Sequence, residues 1–271
     1  MVRSRLSAAG ALALVVLATI AVGTSLAPLL TRRDPLAMDY ENRLLAPSLA
    51  HPFGTDLFGR DVLTRVLYGG RISLSVGILA ALLSALPGLL LGLLGGYYGG
   101  WLDRVVMRLT DLALAFPSLI LALGIVAILG PGLANVTIAV GLAGIPTYVR
   151  LVRGNVLSVK EELYVEAAQA VGCSHRRIIL RHLLPNISAS VLVLATLDVA
   201  WAILRATSLS FLGLGAQPPT PEWGAMIDEG REFLRRAPWV SLAPSAVMML
   251  AVLSLNLVGD ALRDAMDPHA Q

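Results

Sequence analysis

Residues 72–97 read ISLSVGILAALLSALPGLLLGLLGGY, an uncharged run that starts directly after Arg71. As a helix it would rise about 39 Å at 1.5 Å per residue, more than the roughly 30 Å hydrocarbon core of a bilayer. A stretch this long with no charged residue reads as a membrane span. Two rows of small residues run along it at four-residue steps. Ser73, Gly77, Ala81 and Ala85 form one row, and Gly88, Gly92, Gly96 and Gly100 form the other. Small-residue rows let helix backbones approach closely where lipid supplies no hydrophobic drive for association. They serve either packing within the chain or a face toward another subunit, and Pro87 is placed to kink the span.

The rest of the chain agrees with a lipid environment. Of 271 residues, 56% are hydrophobic and 14% are charged. With the 25 glycines, the apolar-plus-glycine share is about 65%, against about 45–50% in a soluble domain. The polar surface left could not cover a soluble core, which excludes a soluble enzyme, a disordered chain and a secreted disulfide scaffold. Cys173 is the single cysteine, so neither an intrachain disulfide nor a cysteine zinc cluster exists. The net charge of +3 is spread over several loops, which argues against a nucleic-acid partner.

Five further apolar runs, at residues 8–30, 112–129, 133–152, 187–214 and 240–259, bring the candidate spans to six. Arg3 and Arg5 precede the first run, as in a signal peptide. Its length exceeds the usual h-region, and Pro28 makes residues 25–27 a poor cleavage site, so it reads as a retained anchor. Six spans put both termini on one side. Placing them inside leaves eleven basic residues in and nine out, a weak preference.

Residues 150–186 break the pattern. Tyr164, Ala167, Ala168 and Val171 recur at helical spacing, with Glu162, Glu166 and Gln169 opposite. Gly172 suits a C′ glycine with positive φ, Ser174 an N-cap for a second short helix, and Pro185 a limit to that helix. The product is a helix–glycine–helix elbow outside the membrane. A small apolar ridge flanked by Glu and Arg suits a groove in another protein, and an interfacial hairpin on lipid is the alternative. Three glutamates within six residues disfavour an anionic leaflet.

Glu166-Ala167-Ala168, Gly172 and His182-Leu183-Leu184-Pro185-Asn186 resemble the EAA motif of ABC-importer permeases. His51-Pro52-Phe53-Gly54-Thr55-Asp56 through Gly59-Arg60-Asp61 narrows the resemblance, as do residues 209–215 (LSFLGLG), Gln217-Pro218-Pro219 with Trp223-Gly224, and Asn256-Leu257 through Asp264. Together they resemble the dipeptide/oligopeptide/nickel class, and within it the C-type transmembrane subunit, from about residue 45 to Pro268.

The resemblance implies an all-α polytopic membrane protein with six transmembrane helices. Residues 1–65 would form an anchor helix and external loop. Residues 66–271 would form a MetI-like five-helix permease core, with a cytoplasmic coupling loop at about 153–186. The coupling surface would comprise Glu162, Glu166, Ala167, Ala168, Gly172 and Arg176, seated in a cleft of an ATPase subunit. The implied partners are a homologous second permease, two ABC ATPase subunits carrying ATP and Mg, an extracytoplasmic substrate-binding protein, and membrane lipid. The chain itself would hold no cofactor or metal and do no catalysis. The implied location is the bacterial inner membrane, with both termini cytoplasmic. The cargo would be peptides or related small polar solutes, nickel chelates among them.

The residues absent from the chain agree. Lys160 is the only lysine and lies between Val159 and Glu161, so there is no P-loop, and neither H-E-x-x-H nor G-x-S-x-G occurs. An ion-coupled secondary transporter is the competing class, but it predicts inverted repeats and midplane charges. Asp198 and Arg205, with Trp201 between them, lie on one face of the fifth span. Charges there by default face protein or a water-filled path. At i, i+7 the two are about 10 Å apart along the axis, so bridging by water or a partner is expected rather than direct contact. This face either lines the translocation path or contacts the companion subunit. Relatives usually carry a glutamate just before LSFLGLG, where this chain has Ala206. Pro218, Pro219 and Pro221 stiffen the external loop around Trp223, which serves either as an ordinary interface anchor or as part of a docking surface for a substrate-binding protein.

Overall fold

A computed structural model describes residues 8–266. Arg3, Arg5 and Pro268 lie outside the described residues. Helix α1 (Ala8–Ser25) is followed by an irregular segment that leads into α2 (Val62–Tyr98). Next come α3 (Gly100–Leu114), α4 (Ser118–Leu129), α5 (Leu133–Lys160) and the short α6 (Leu163–Ala170). The long α7 (His175–Phe211), the short α8 (Trp223–Gly230) and the last helix α9 (Trp239–Met266) complete the order. Helices α1, α2, α5, α7 and α9 are each long and apolar enough to cross a membrane, and the bent pair α3–α4 makes a sixth candidate.

The expected span over residues 112–129 is thus divided. Proline disfavours helical backbone at the residue before it, and the chain breaks at Phe116-Pro117, turning by 96°. Helix α4 is about 18 Å long at 1.5 Å per residue, too short to cross a bilayer unaided. The amphipathic α3 is held instead along α5. Arg153 grips Asp103 with two hydrogen bonds, at 2.5 and 2.7 Å, and Arg150 reaches Asp111 at 2.6 Å.

At 37 residues, α2 extends beyond the hydrocarbon core. Asp61 caps its first turn by accepting from the Thr64 amide at 2.8 Å, and Gly99 ends it at φ +64°. Its small-residue rows pack within the chain. A Cβ at Gly88 would lie 2.4 Å from Tyr148 Cβ, and one at Gly92 2.8 Å from the Val149 carbonyl oxygen. Gly77 meets Ile203 of α7 in the same way. Gly88, Gly92 and Gly96 therefore form the α2–α5 seam while Gly100 opens the next helix, and helix α2 runs through Pro87 without interruption.

Around that seam Val76, Val126, Val140, Ala206 and Leu209 form the central core of α2, α4, α5 and α7. Helix α1 lies outside it, against α2 and α9, with most of its apolar side chains exposed as a lipid-facing helix requires. A second core joins Leu93 and Tyr97 of α2 and Val152 and Val156 of α5 to the elbow.

Candidate functional site

The elbow is built from local rules. Helix α6 ends in a Schellman motif: Gly172 adopts φ +78°, its amide donates to the Gln169 carbonyl at 2.9 Å, and the Cys173 amide donates to the Ala168 carbonyl at 3.0 Å. Ser174 then caps the next turn, its hydroxyl accepting from the Arg177 amide at 3.4 Å. The helix that starts there does not stop at Pro185. A π-helical turn at Ile179–Leu183 widens the backbone just ahead of the ring, so α7 continues unbroken to Phe211.

Side-chain placement splits the expected ridge. Val165 and Ala168 turn inward onto Ile178 and Leu183, while Tyr164, Ala167 and Val171 face out. Leu163 is 81% exposed and Val171 80%. Glu162, Glu166 and Gly172 on α6 and its cap, with Arg176 on α7, are all exposed beside this apolar strip. Neither Glu162, Glu166 nor Arg176 has an ion-pair partner among the described residues.

Three contacts tie the elbow to the spanning helices. The Tyr97 hydroxyl and His175 Nδ1 are 2.7 Å apart, and the two rings pack edge to face. Lys160 Nζ donates to the Tyr97 carbonyl at 3.1 Å, satisfying an orphan acceptor at the end of α2. The single lysine and His175 thus join the ends of α2 and α5 to the start of α7.

The intramembrane charges are closer than their spacing implied. Arg205 Nη2 donates directly to Asp198 Oδ1 at 2.5 Å, because the long arginine stem folds back along α7 across two turns. Both side chains are largely buried, at 14% and 11% exposure. The second Asp198 oxygen accepts from the Tyr148 hydroxyl of α5 at 3.3 Å, and Arg205 Nε donates to the Trp201 carbonyl at 3.2 Å. Trp201 is 59% exposed. All three residues line one open cleft of about 490 Å³ between α4, α5 and α7, with Ser118, Thr147 and Ser208. Ala206 points away into the core.

At the opposite end of α2 sequence reasoning missed a buried ionic network. Arg60 and Arg65 are 2% and 1% exposed. Arg60 pairs with Asp56 at 2.6 Å and with Glu229 of α8 at 2.8 Å, and Arg65 reaches Glu229 at 3.1 Å. Each guanidinium is opposed by carboxylates, as buried charges must be. The Asp56–Arg60 spacing of four was the one local signal. Beside the network Asp61 accepts from His51 at 2.8 Å and from Arg33 at 2.9 Å. Burial works to raise the Asp61 pKa, but the Thr64 amide, His51, the Thr64 hydroxyl and Arg33 outweigh it and hold it below the usual carboxylate value.

Trp223 is not an interface anchor. It is fully buried, its indole donating to the Val66 carbonyl at 3.0 Å. Beside it Glu222 accepts from Ser73 and from the Gly224 and Ala225 amides, so the loop is clamped onto α2.

Residues 88–271 match the family described as the binding-protein-dependent transport system inner membrane component. A dipeptide transport system permease protein of Alkalihalophilus pseudofirmus is 47% identical, over 89% of this chain and 80% of its own length. Glutathione transport system permease proteins of Shigella dysenteriae and Shigella flexneri are 50% and 52% identical, each over 85% of this chain and 76% of theirs.

Proposed function

Because the chain belongs to the family of binding-protein-dependent transport system inner membrane components, we propose that it forms half of an import pore for peptides and peptide-like solutes, driven through its elbow by separate ATPase subunits. Family membership makes it a permease subunit of an ABC importer and replaces the reading as an ion-coupled secondary transporter. The peptide class of cargo rests on relatives named for dipeptide and glutathione transport.

The single observation that carries the coupling role is the exposed strip on α6, with unpaired Glu162, Glu166 and Arg176 around Leu163, Ala167 and Val171. A rigid, capped helix with unsatisfied charges and bare apolar side chains fits a complementary groove. ATP binding and hydrolysis, with Mg, belong to the partner that supplies the groove. Movement of the elbow passes to the pore through the continuous α7, which carries Asp198, Trp201 and Arg205 seven or fewer residues apart on its cleft face. The remaining partners are a second, homologous permease and an extracytoplasmic binding protein. Both termini lie on the elbow side, in the cytoplasm of a bacterium whose inner membrane holds the complex.

Co-purification with the cognate ATPases tests the reading. Wild-type chain should retain them and Glu166→Lys should not, with equal amounts of both in the membrane. Uptake by the isolated chain in liposomes under an ion gradient alone would overturn it.

A further inference from the structure

At the α2 end opposite the elbow, the chain leaving α1 and the first turns of α2 enclose an open cleft of about 900 Å³. Arg32, Arg33 and Arg71 line it, with Asp34, Tyr68 and Ser75. Arg33 is committed to Asp61. Asp34 spends an oxygen on the Leu36 amide at 2.8 Å. Arg32 and Arg71 are exposed and have no hydrogen-bond or ion-pair partner among the described residues. The cleft therefore holds two uncommitted guanidinium groups against the single Asp34 carboxylate, a net positive charge at the edge of the membrane.

Below Arg71 the outward face of α2 continues through Ser75, Leu79, Leu82 and Leu86 at three- and four-residue steps. The leucines are 53%, 48% and 59% exposed. Two free arginines above an apolar track match a molecule with an anionic head and a hydrocarbon tail. We propose that this cleft binds the phosphate headgroup of an anionic phospholipid, with an acyl chain along the Leu79–Leu86 face. A guanidinium presents a planar fork of donors that pairs with two phosphate oxygens at once. A carboxylate on a transported solute would use the arginines but leave the apolar track empty. The proposal goes beyond the transport reading and does not depend on it.

The test uses the complete chain with whatever subunits co-purify, in nanodiscs of equal parts phosphatidylcholine and phosphatidylglycerol. Native mass spectrometry then counts phosphatidylglycerol retained on gentle delipidation. Arg32→Gln/Arg71→Gln should retain about thirtyfold less than wild type, as removal of two headgroup-proximal arginines implies. Arg32→Lys/Arg71→Lys, which keeps charge and loses the fork, should fall between. Arg235→Gln/Arg236→Gln removes two exposed arginines elsewhere and should match wild type. Melting in pure phosphatidylcholine should be the same for all, which separates lost lipid from lost fold. Equal retention by the Arg32/Arg71 and Arg235/Arg236 variants would overturn the proposal. So would unchanged retention together with a raised KM for peptide uptake, which would assign the arginines to cargo.

Discussion

Neutralising Asp198 alone strands the Arg205 guanidinium inside a membrane-spanning helix. Its side chain is 14% exposed and keeps only the Trp201 carbonyl at 3.2 Å. Removing one partner of a buried pair costs about 3–5 kcal/mol, because a charge is left uncompensated. The pair opens on a cleft, which favours the lower end of that range. At about 2–4 °C per kcal/mol for a chain of this size, Asp198→Asn should melt about 6–12 °C below wild type. Arg205→Gln should do similar damage, since Asp198 would retain only the Tyr148 hydroxyl at 3.3 Å. The double variant replaces two charges by two amides and should recover most of the loss. Two single losses of about 3 kcal/mol against a residual of about 1 kcal/mol in the double variant make a coupling energy of about 5 kcal/mol, well above the ~0.5 kcal/mol of independent sites. Melting in nanodiscs gives the cycle, and uptake into proteoliposomes gives the function. A path-lining role predicts that the double variant regains stability without regaining uptake. Additive single effects would refute the direct ion pair, and full uptake by the double variant would refute the path assignment.

Three further outcomes follow from separate regions. Gly172→Val forces a β-branched residue to φ +78°, at a cost of about 1–2 kcal/mol or more. It should abolish peptide uptake with membrane insertion intact, whereas Gly172→Asn should keep most of it. Gly92→Leu would press a side chain against the Val149 carbonyl and Val152, and over-packing of about 1–3 kcal/mol should lower the melting temperature. Gly124→Leu, with nothing within 4 Å of its Cβ, should leave melting unchanged. The Asp61 carboxyl has its pKa lowered in the folded chain, so its contribution is complete above the ordinary aspartate value and is lost as pH falls through the folded value. Asp61→Asn should therefore reduce the steepness of the melting-temperature decline below about pH 4 and leave its slope between pH 5 and 7 unchanged. Parallel curves for the two proteins across the acid range would contradict this.

The elbow was legible because its signals are local. A C′ glycine, an N-cap serine and a helical spacing of small residues each act within a turn or two, and the Schellman motif at Gly172 formed as its neighbours predict. The exception was Pro185, where the π-turn at Ile179–Leu183 absorbed the ring that should have ended the helix. Which side of α6 would be bare was not legible. Val165 sits outside the Tyr164–Ala167–Ala168–Val171 stripe, yet it is buried by Ile178 and Leu183. That choice belongs to the packing partner, not to the periodicity. Spacing along α7 likewise measured the axial rise between Asp198 and Arg205 but not the reach of a folded arginine stem.

By itself the sequence determined what kind of solvent surrounds the chain, where the elbow bends, and which family the motifs belong to. These depend on composition and on short-range backbone preferences, which a few neighbouring residues carry. Only the tertiary structure decided that the glycine row of α2 closes on α5 and that Asp198 and Arg205 touch. It also decided that Trp223 is core and that Arg60 and Arg65 are sealed against Glu229. Glu229 lies more than 160 residues from both arginines along the chain. A buried charge is tolerated only where an opposite charge meets it, and for pairs so far apart that meeting is set by how the helices pack.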